Sequence, residues 1–191
     1  MYKFGSKQVF PLIIIAVITI YSLFPLVSHF KTSIVDRADG LLIVWILNQT
    51  IQKIPHDLVH VFEGNMFYTN IHVLAFSVLL IPSAILSAVP VWLTGEPIVA
   101  YNFALVFAQF ATMSIVYLWW HSVTKNSISS LLGSIVFGLS QIRMHYRAHL
   151  QVFNLTWILG AGFMFWMFGQ TKKKIFIFIR DTFGYPSLGE S

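Results

Sequence analysis

Two short polar segments carry the residues of this chain whose types could do chemistry. The first contains Asp36 and Asp39, and the second contains Arg143, Arg147 and His149. An aspartate at the mouth of a cavity can act as a general base and take a proton from a hydroxyl. Arginines can hold a phosphate through forked hydrogen bonds. If the two segments lie on the same side of a membrane, they can form one site.

Each residue type also has an ordinary structural interpretation. An aspartate ahead of a helix is a common N-cap, and Asp36 could also pair with Arg37 or Lys31. Basic residues beside an apolar block often lie at the membrane interface with their charged ends in water. His145 and His149 have a spacing compatible with a metal, but no carboxylate lies nearby to complete the set. We therefore predict neither a metal site nor a cofactor.

The composition is that of an integral membrane protein. Of 191 residues, 57% are hydrophobic and only 10% are charged, with a mean hydropathy of +0.73. Soluble globular chains carry about 25% charged residues. The formal net charge of +5 comes from cations at the ends of apolar blocks, where membrane topology explains them and a nucleic-acid partner is not needed. The absence of cysteine excludes disulfides and thiolate metal sites.

Four apolar blocks are predicted to cross the bilayer, since a spanning helix needs roughly 20 mainly apolar residues. A fifth block, 71–94, contains Pro82 and Pro90 and is expected to be a broken, interface-lying or re-entrant pair of short helices. The fold class is thus an all-α polytopic membrane protein with a single module over 1–174. Residues 175–191 form a polar tail or a truncated further span. The four spanning blocks are about 9–29, 98–120, 128–141 and 150–169.

The distribution of lysines predicts the orientation. A cytoplasmic N-terminus keeps Lys125 and the run 172–174 in the cytoplasm as well, provided that 71–94 does not cross. Residues 30–97 and 142–149 then lie on the exoplasmic side of a plasma membrane. Within the first loop, Asp39 is expected to cap a surface helix over 41–53. Its lipid-facing residues would be Leu41, Leu42, Trp45 and Ile46.

The order of several short segments resembles the N-terminal part of GT-C-type membrane glycosyltransferases. The resemblance covers roughly residues 10–170, and the ordered set carries it more than any single motif. After a first apolar block, the set consists of Ala38-Asp39-Gly40-Leu41-Leu42, Gly64-Asn65-Met66-Phe67-Tyr68, Leu74-Ala75-Phe76-Ser77, Tyr101-Asn102, and Arg143 to Gln151 ahead of Trp157.

The resemblance implies an enzyme that takes a sugar from a polyprenyl-phosphate donor on the exoplasmic face. It makes Asp39 the catalytic residue and assigns stabilisation of the departing phosphate to basic residues. In place of the acidic residue and histidine that relatives often carry after the Leu-Ala-aromatic-Ser stretch, this chain has Val78-Leu79. The substrate-binding residues that we predict are Asp36, Trp45, Asn65, Tyr68, Arg143, Arg147 and His149.

Two other classes of function remain open. Four spans are fewer than the roughly seven of GT-C modules, so the chain could be a non-enzymatic or degenerate subunit whose partner carries the missing spans. A small transporter or channel is the third alternative, although the spans hold few ionisable residues and show no inverted repeat.

Overall fold

The computed structural model describes residues 8–66, 70–76 and 80–183, and the side chains of 76 and 173–183 lie outside that description. Within those residues the chain is all-helical, which confirms the predicted all-α class. Eight α-helices follow one another, with short 3-10 turns at Leu26–His29, Val73–Phe76 and Tyr146–Ala148. They are α1 Val9–Ser22, α2 Asp39–Lys53, α3 Ile81–Thr94, α4 Pro97–Thr124, α5 Ser127–Gly138, α6 Gln141–His145, α7 Leu150–Phe153 and α8 Thr156–Phe183.

The long helix α4 forms the centre of the fold, and α1, α2, α3, α5, α7 and α8 all pack against it. At 28 residues it is about 42 Å long. One apolar core lies between α2, α3 and α4, and a second, with Ile15, Met113 and Tyr117, joins α1 to α4. Among the residues that the structure describes, two segments, Pro97–Thr124 and Leu150–Lys172, are long and apolar enough to cross a membrane.

Contacts along α4 fix the direction of its neighbours. Asn102 meets Phe30 and Ser33, whereas Ile15 packs near Tyr117, so α1 runs antiparallel to α4. α5 also returns antiparallel, because Ser127 contacts Tyr117 and Gly138 contacts Gln109.

α8 runs in the same direction as α4. The Oγ1 atoms of Thr156 and Thr112 lie 3.2 Å apart, and further along both helices Gly162 lies beside Trp119. Lys125 and Lys172 therefore lie toward one end of the bundle, which we call the lysine end. Asp39 and the turn before α7 lie toward the opposite end, which we call the aspartate end.

Local sequence explains where α3 ends and where α4 and α5 begin. Gly95 ends α3 in the left-handed conformation, with φ +72°, and its N–H donates to Val91 O. Glycine adopts this conformation without the strain of a β-carbon. Pro97 starts α4 in a turn where no backbone donor is needed. Asn126 caps α5, and its side chain accepts a hydrogen bond from Ser129 N–H at 3.0 Å.

The region 71–94 differs in detail from its prediction. The expected break does not fall at Pro90, which lies inside one continuous helix, Ile81–Thr94. Pro82 lies in the first turn of that helix, where the missing N–H has no consequence. At 14 residues, about 21 Å, α3 is too short to cross a hydrocarbon core of about 30 Å.

One predicted lipid-facing residue of α2 is buried. Leu41 and Leu42 are exposed, as expected, but Ile46 is only 1% exposed. Helical periodicity placed it on the outer face, whereas α3 and α4 both pack against α2 and cover more of its surface.

Candidate functional site

Asp36, and not Asp39, supplies the cap of α2. The Asp36 carboxylate accepts a hydrogen bond from the Asp39 N–H at 3.0 Å. Asp39 is the first helical residue, and the prediction that it caps the helix is wrong. Because Asp36 satisfies this backbone donor, the carboxylate of Asp39 is available for other contacts.

The Asp39 carboxylate contacts the His149 imidazole, which joins the two polar segments. His149 Nδ1 lies 2.9 Å from Asp39 Oδ2. The His149 side chain is 37% exposed and that of Asp39 50% exposed, so both reach solvent while in contact. An imidazole held through Nδ1 by a carboxylate is fixed in one orientation, which is an arrangement suited to proton transfer.

The backbone around His149 is held by α4. Tyr101 Oη donates a hydrogen bond to Ala148 O at 3.2 Å, directly before His149. Asp36 accepts from the Asp39 N–H, Asp39 contacts His149, and Arg147 precedes His149 by two residues. The three charged groups therefore share one neighbourhood at the aspartate end.

Arg143 lies inside the protein. It is 6% exposed, and its guanidinium donates to Gly138 O at 3.3 Å and to Phe153 O at 3.0 Å. Its Cζ also lies 4.6 Å from the centroid of the Phe153 ring and 5.7 Å from that of Phe137. Gly138 precedes Arg147 and His149 in the chain and Phe153 follows them, so Arg143 holds both ends of the segment that carries these two residues.

Arg147 occupies a different position from Arg143. The two arginines lie in different elements, because α6 ends at His145 and the chain continues as a 3-10 turn. Arg147 is exposed and lines a cleft of about 280 Å³. The other walls are the apolar stretch that follows α1 and the segment before α2, with Leu23, Phe24, Pro25, Leu26, Ser33, Ile34 and Val35.

Trp45 and Asn65 contact each other. The Trp45 indole N–H donates to Asn65 Oδ1 at 3.2 Å. Lys53 Nζ donates to two carbonyls of the same loop, at His60 and Glu63. Among the hydrogen bonds and ion pairs of the described residues, none joins Trp45 or Asn65 to Asp39 or His149. Tyr68, the remaining predicted lining residue, lies outside the described residues.

Asn102 is the residue at this end whose part sequence reasoning did not assign. It is fully buried, and its Nδ2 donates to Phe30 O at 2.8 Å and to Ser33 O at 2.7 Å. These bonds fasten the segment before α2 to α4. The available signal was an amide within an otherwise apolar block, since such a group must find partners when buried.

No family model, no curated protein and no solved structure matches the chain. In the part of the chain that the structure describes, no group of three or more His, Cys, Asp or Glu side chains could hold a metal ion. What the geometry offers is an oriented Asp–His pair with an exposed arginine nearby.

Proposed function

We propose that the chain is a membrane module whose aspartate end faces the exoplasmic side. The directions of α4, α5 and α8 support this orientation, because they bring Lys125 and Lys172 toward the end opposite Asp39. Positive side chains favour the cytoplasmic side. In the proposed topology, α4 and α7–α8 cross fully. α1 with its following turn, and α5 with α6, complete two further crossings, while α2 and α3 stay on the exoplasmic side.

The proposed activity is transfer of a sugar from a polyprenyl-phosphate donor to a hydroxyl of an exoplasmic acceptor. The observation that carries this proposal is the contact of 2.9 Å between Asp39 Oδ2 and His149 Nδ1. It gives a proton acceptor at the end of the bundle where Arg147 lines a cleft with apolar walls. A lipid phosphate requires both a cation for its head and apolar walls for its chain.

The proposed reaction can be written with these groups alone. Nε2 of the neutral His149 imidazole, whose Nδ1–H donates to Asp39, takes the proton of the acceptor hydroxyl, and the oxygen forms a bond to the anomeric carbon. The bond from that carbon to the phosphate oxygen breaks, and the phosphate keeps the electron pair. Arg147 stabilises the charge that develops on the departing phosphate. Arg143, previously a candidate ligand, holds the backbone of this segment from inside.

The experiment measures release and transfer of radiolabelled sugar from polyprenyl-phosphate hexoses in proteoliposomes. Asp39→Asn is expected to abolish transfer while membrane insertion and expression stay unchanged. A matched control exists in the chain, because Asp57 also pairs with a histidine, His60, at 2.8 Å. Asp57→Asn should leave transfer intact. Full activity of Asp39→Asn, or equal loss in Asp57→Asn, would contradict the proposal.

A second candidate function is that of a non-enzymatic subunit that packs against a membrane partner carrying further spans. Large apolar side chains on α1 and α8 favour it, since Tyr21 is 82% exposed and Phe165 is 80% exposed. Lipid alone could cover the same surface. Co-purification of one membrane protein in a fixed ratio, released by Phe165→Ser but not by Asp39→Asn, would favour the subunit over the enzyme.

A further inference from the structure

A second cleft lies beside the one that Arg147 lines. It has a volume of about 290 Å³ and is lined by Thr32, Ser33, Ile34, Arg37, Leu41 and Ile98. Ser33 and Ile34 belong to both clefts, so this short stretch of chain is the wall between them. The wall is fixed in place, because the buried Asn102 amide donates to Phe30 O and Ser33 O.

The chemistry of the second cleft differs from that of the first. Apart from Arg147 and Ser33, the first cleft is bounded by apolar residues. The second has two hydroxyl-bearing residues, Thr32 and Ser33, and one cation, Arg37. Arg37 is exposed and forms no ion pair within the described residues. Asp36, the carboxylate next to it in sequence, is engaged with the Asp39 N–H.

The Asp39–His149 pair at the aspartate end lies close in sequence to the arginine of each cleft. Asp39 follows Arg37 by two residues, and its partner His149 follows Arg147 by two residues. Because Ser33 and Ile34 line both clefts, two substrates that each occupy one cleft would lie side by side, each next to its own arginine. We propose that the cleft lined by Arg37 binds an oxyanion, a phosphate or carboxylate group carried by the acceptor. This proposal rests on the proposed function, which assigns the Arg147 cleft to the donor.

The expected ligand chemistry follows from the side chains. A guanidinium binds a phosphate or carboxylate through paired N–H donors, and neighbouring hydroxyls can add further hydrogen bonds. A neutral sugar would need no cation, whereas an acceptor that carries an acidic group would. The cleft therefore favours an anionic, hydroxyl-bearing acceptor over a neutral one.

The test measures the labelling of introduced thiols, so it needs neither the donor nor turnover. It is possible because the chain has no cysteine of its own. Thr32→Cys places a thiol in the cleft, and His56→Cys places one on an exposed turn as a reference. Each full-length variant is reacted in proteoliposomes with two methanethiosulfonates of similar size, one anionic and one cationic. The ratio of the two rates reports the local preference for anions. We expect this ratio to be at least about threefold higher at position 32 than at position 56.

Three background substitutions assign the effect to the cleft. Arg37→Gln should bring the ratio at position 32 down to the reference value. Lys31→Gln removes a neighbouring exposed cation that does not line the cleft, and Arg147→Gln alters only the other cleft, so both should leave most of the preference. Inorganic phosphate or acetate should slow labelling at position 32 in a saturable manner, and this protection should be lost in Arg37→Gln.

The outcomes separate this proposal from the proposed function. Protection by phosphate alone would assign a phosphate-bearing acceptor, and protection by acetate alone a carboxylate-bearing one. If neither phosphate nor acetate protects in a saturable manner, the oxyanion site is refuted. An effect of Lys31→Gln as large as that of Arg37→Gln would refute it as well. Neither result depends on sugar transfer. A protein that transfers no sugar but still binds phosphate in this cleft would therefore refute the proposed transfer reaction and support the oxyanion site.

Discussion

Replacement of Arg143 by methionine should destabilise the protein although it removes a buried charge. The guanidinium makes two hydrogen bonds to carbonyls and lies over the Phe153 ring. Charge-assisted hydrogen bonds contribute about 1.5–3 kcal/mol each, and a desolvated cation–π contact contributes about 2 kcal/mol. Desolvation of the ion opposes this by several kcal/mol. We expect a net loss of about 2 kcal/mol in the free energy of unfolding.

The assay is thermal unfolding in detergent, compared with Arg147→Met at the same protein concentration. For a chain of this size, a loss of about 2 kcal/mol lowers the midpoint by roughly 4–8 °C. Arg147 is exposed, so its replacement should change stability by less than about 0.5 kcal/mol. Arg143→Lys should be no more stable than Arg143→Met, because an ammonium lacks the fork that reaches both carbonyls. Equal midpoints for Arg143→Met and Arg147→Met would refute the buried-clamp account.

Three further predictions address other contacts. Asn102→Ala loses two buried hydrogen bonds and should cost about 1–3 kcal/mol in thermal unfolding, whereas Asn65→Ala, at an exposed site, should cost less than about 1 kcal/mol. Gly138→Ala places a methyl group against Met113 and should lower stability by about 1–3 kcal/mol, with partial recovery in the Met113→Ala background. The hydrogen bond from His60 holds the pKa of Asp57 below 3.8, so its small contribution to stability is present above that pH and is lost as the pH falls through the lowered value. Carboxyl NMR titration should show the pKa returning toward 3.8 in His60→Gln.

The helices were predictable where the sequence carries both an apolar run and a clear stop. The stretch from Thr94 to Pro97 indicated a boundary, and the structure ends α3 and starts α4 there. A helix near 41–53 was also expected, and it begins at Asp39. Its buried face was misjudged at Ile46, since the packing of α3 and α4 on α2 is a long-range property that helical periodicity does not contain.

The site was harder to predict than the helices. The residue types that meet at the aspartate end, Asp39, Arg147 and His149, were all among the predicted site residues. Their meeting depends on the path of the whole chain, and no spacing encodes it. The burial of Arg143, which is 6% exposed, was also not predictable, because it depends on the packing of the chain around α6. Whether these residues bind substrate stays a prediction.

The most direct test of the central claim is the topology of single cysteines introduced into this cysteine-free chain. Asp57→Cys and Tyr146→Cys should react with an impermeant thiol reagent added to the exoplasmic side of intact cells. Lys125→Cys and Lys172→Cys should react only after permeabilisation. This pattern would place the Asp39–His149 pair on the exoplasmic face, where a lipid-linked sugar donor is proposed to bind. Labelling of position 146 from the cytoplasmic side alone would contradict the account.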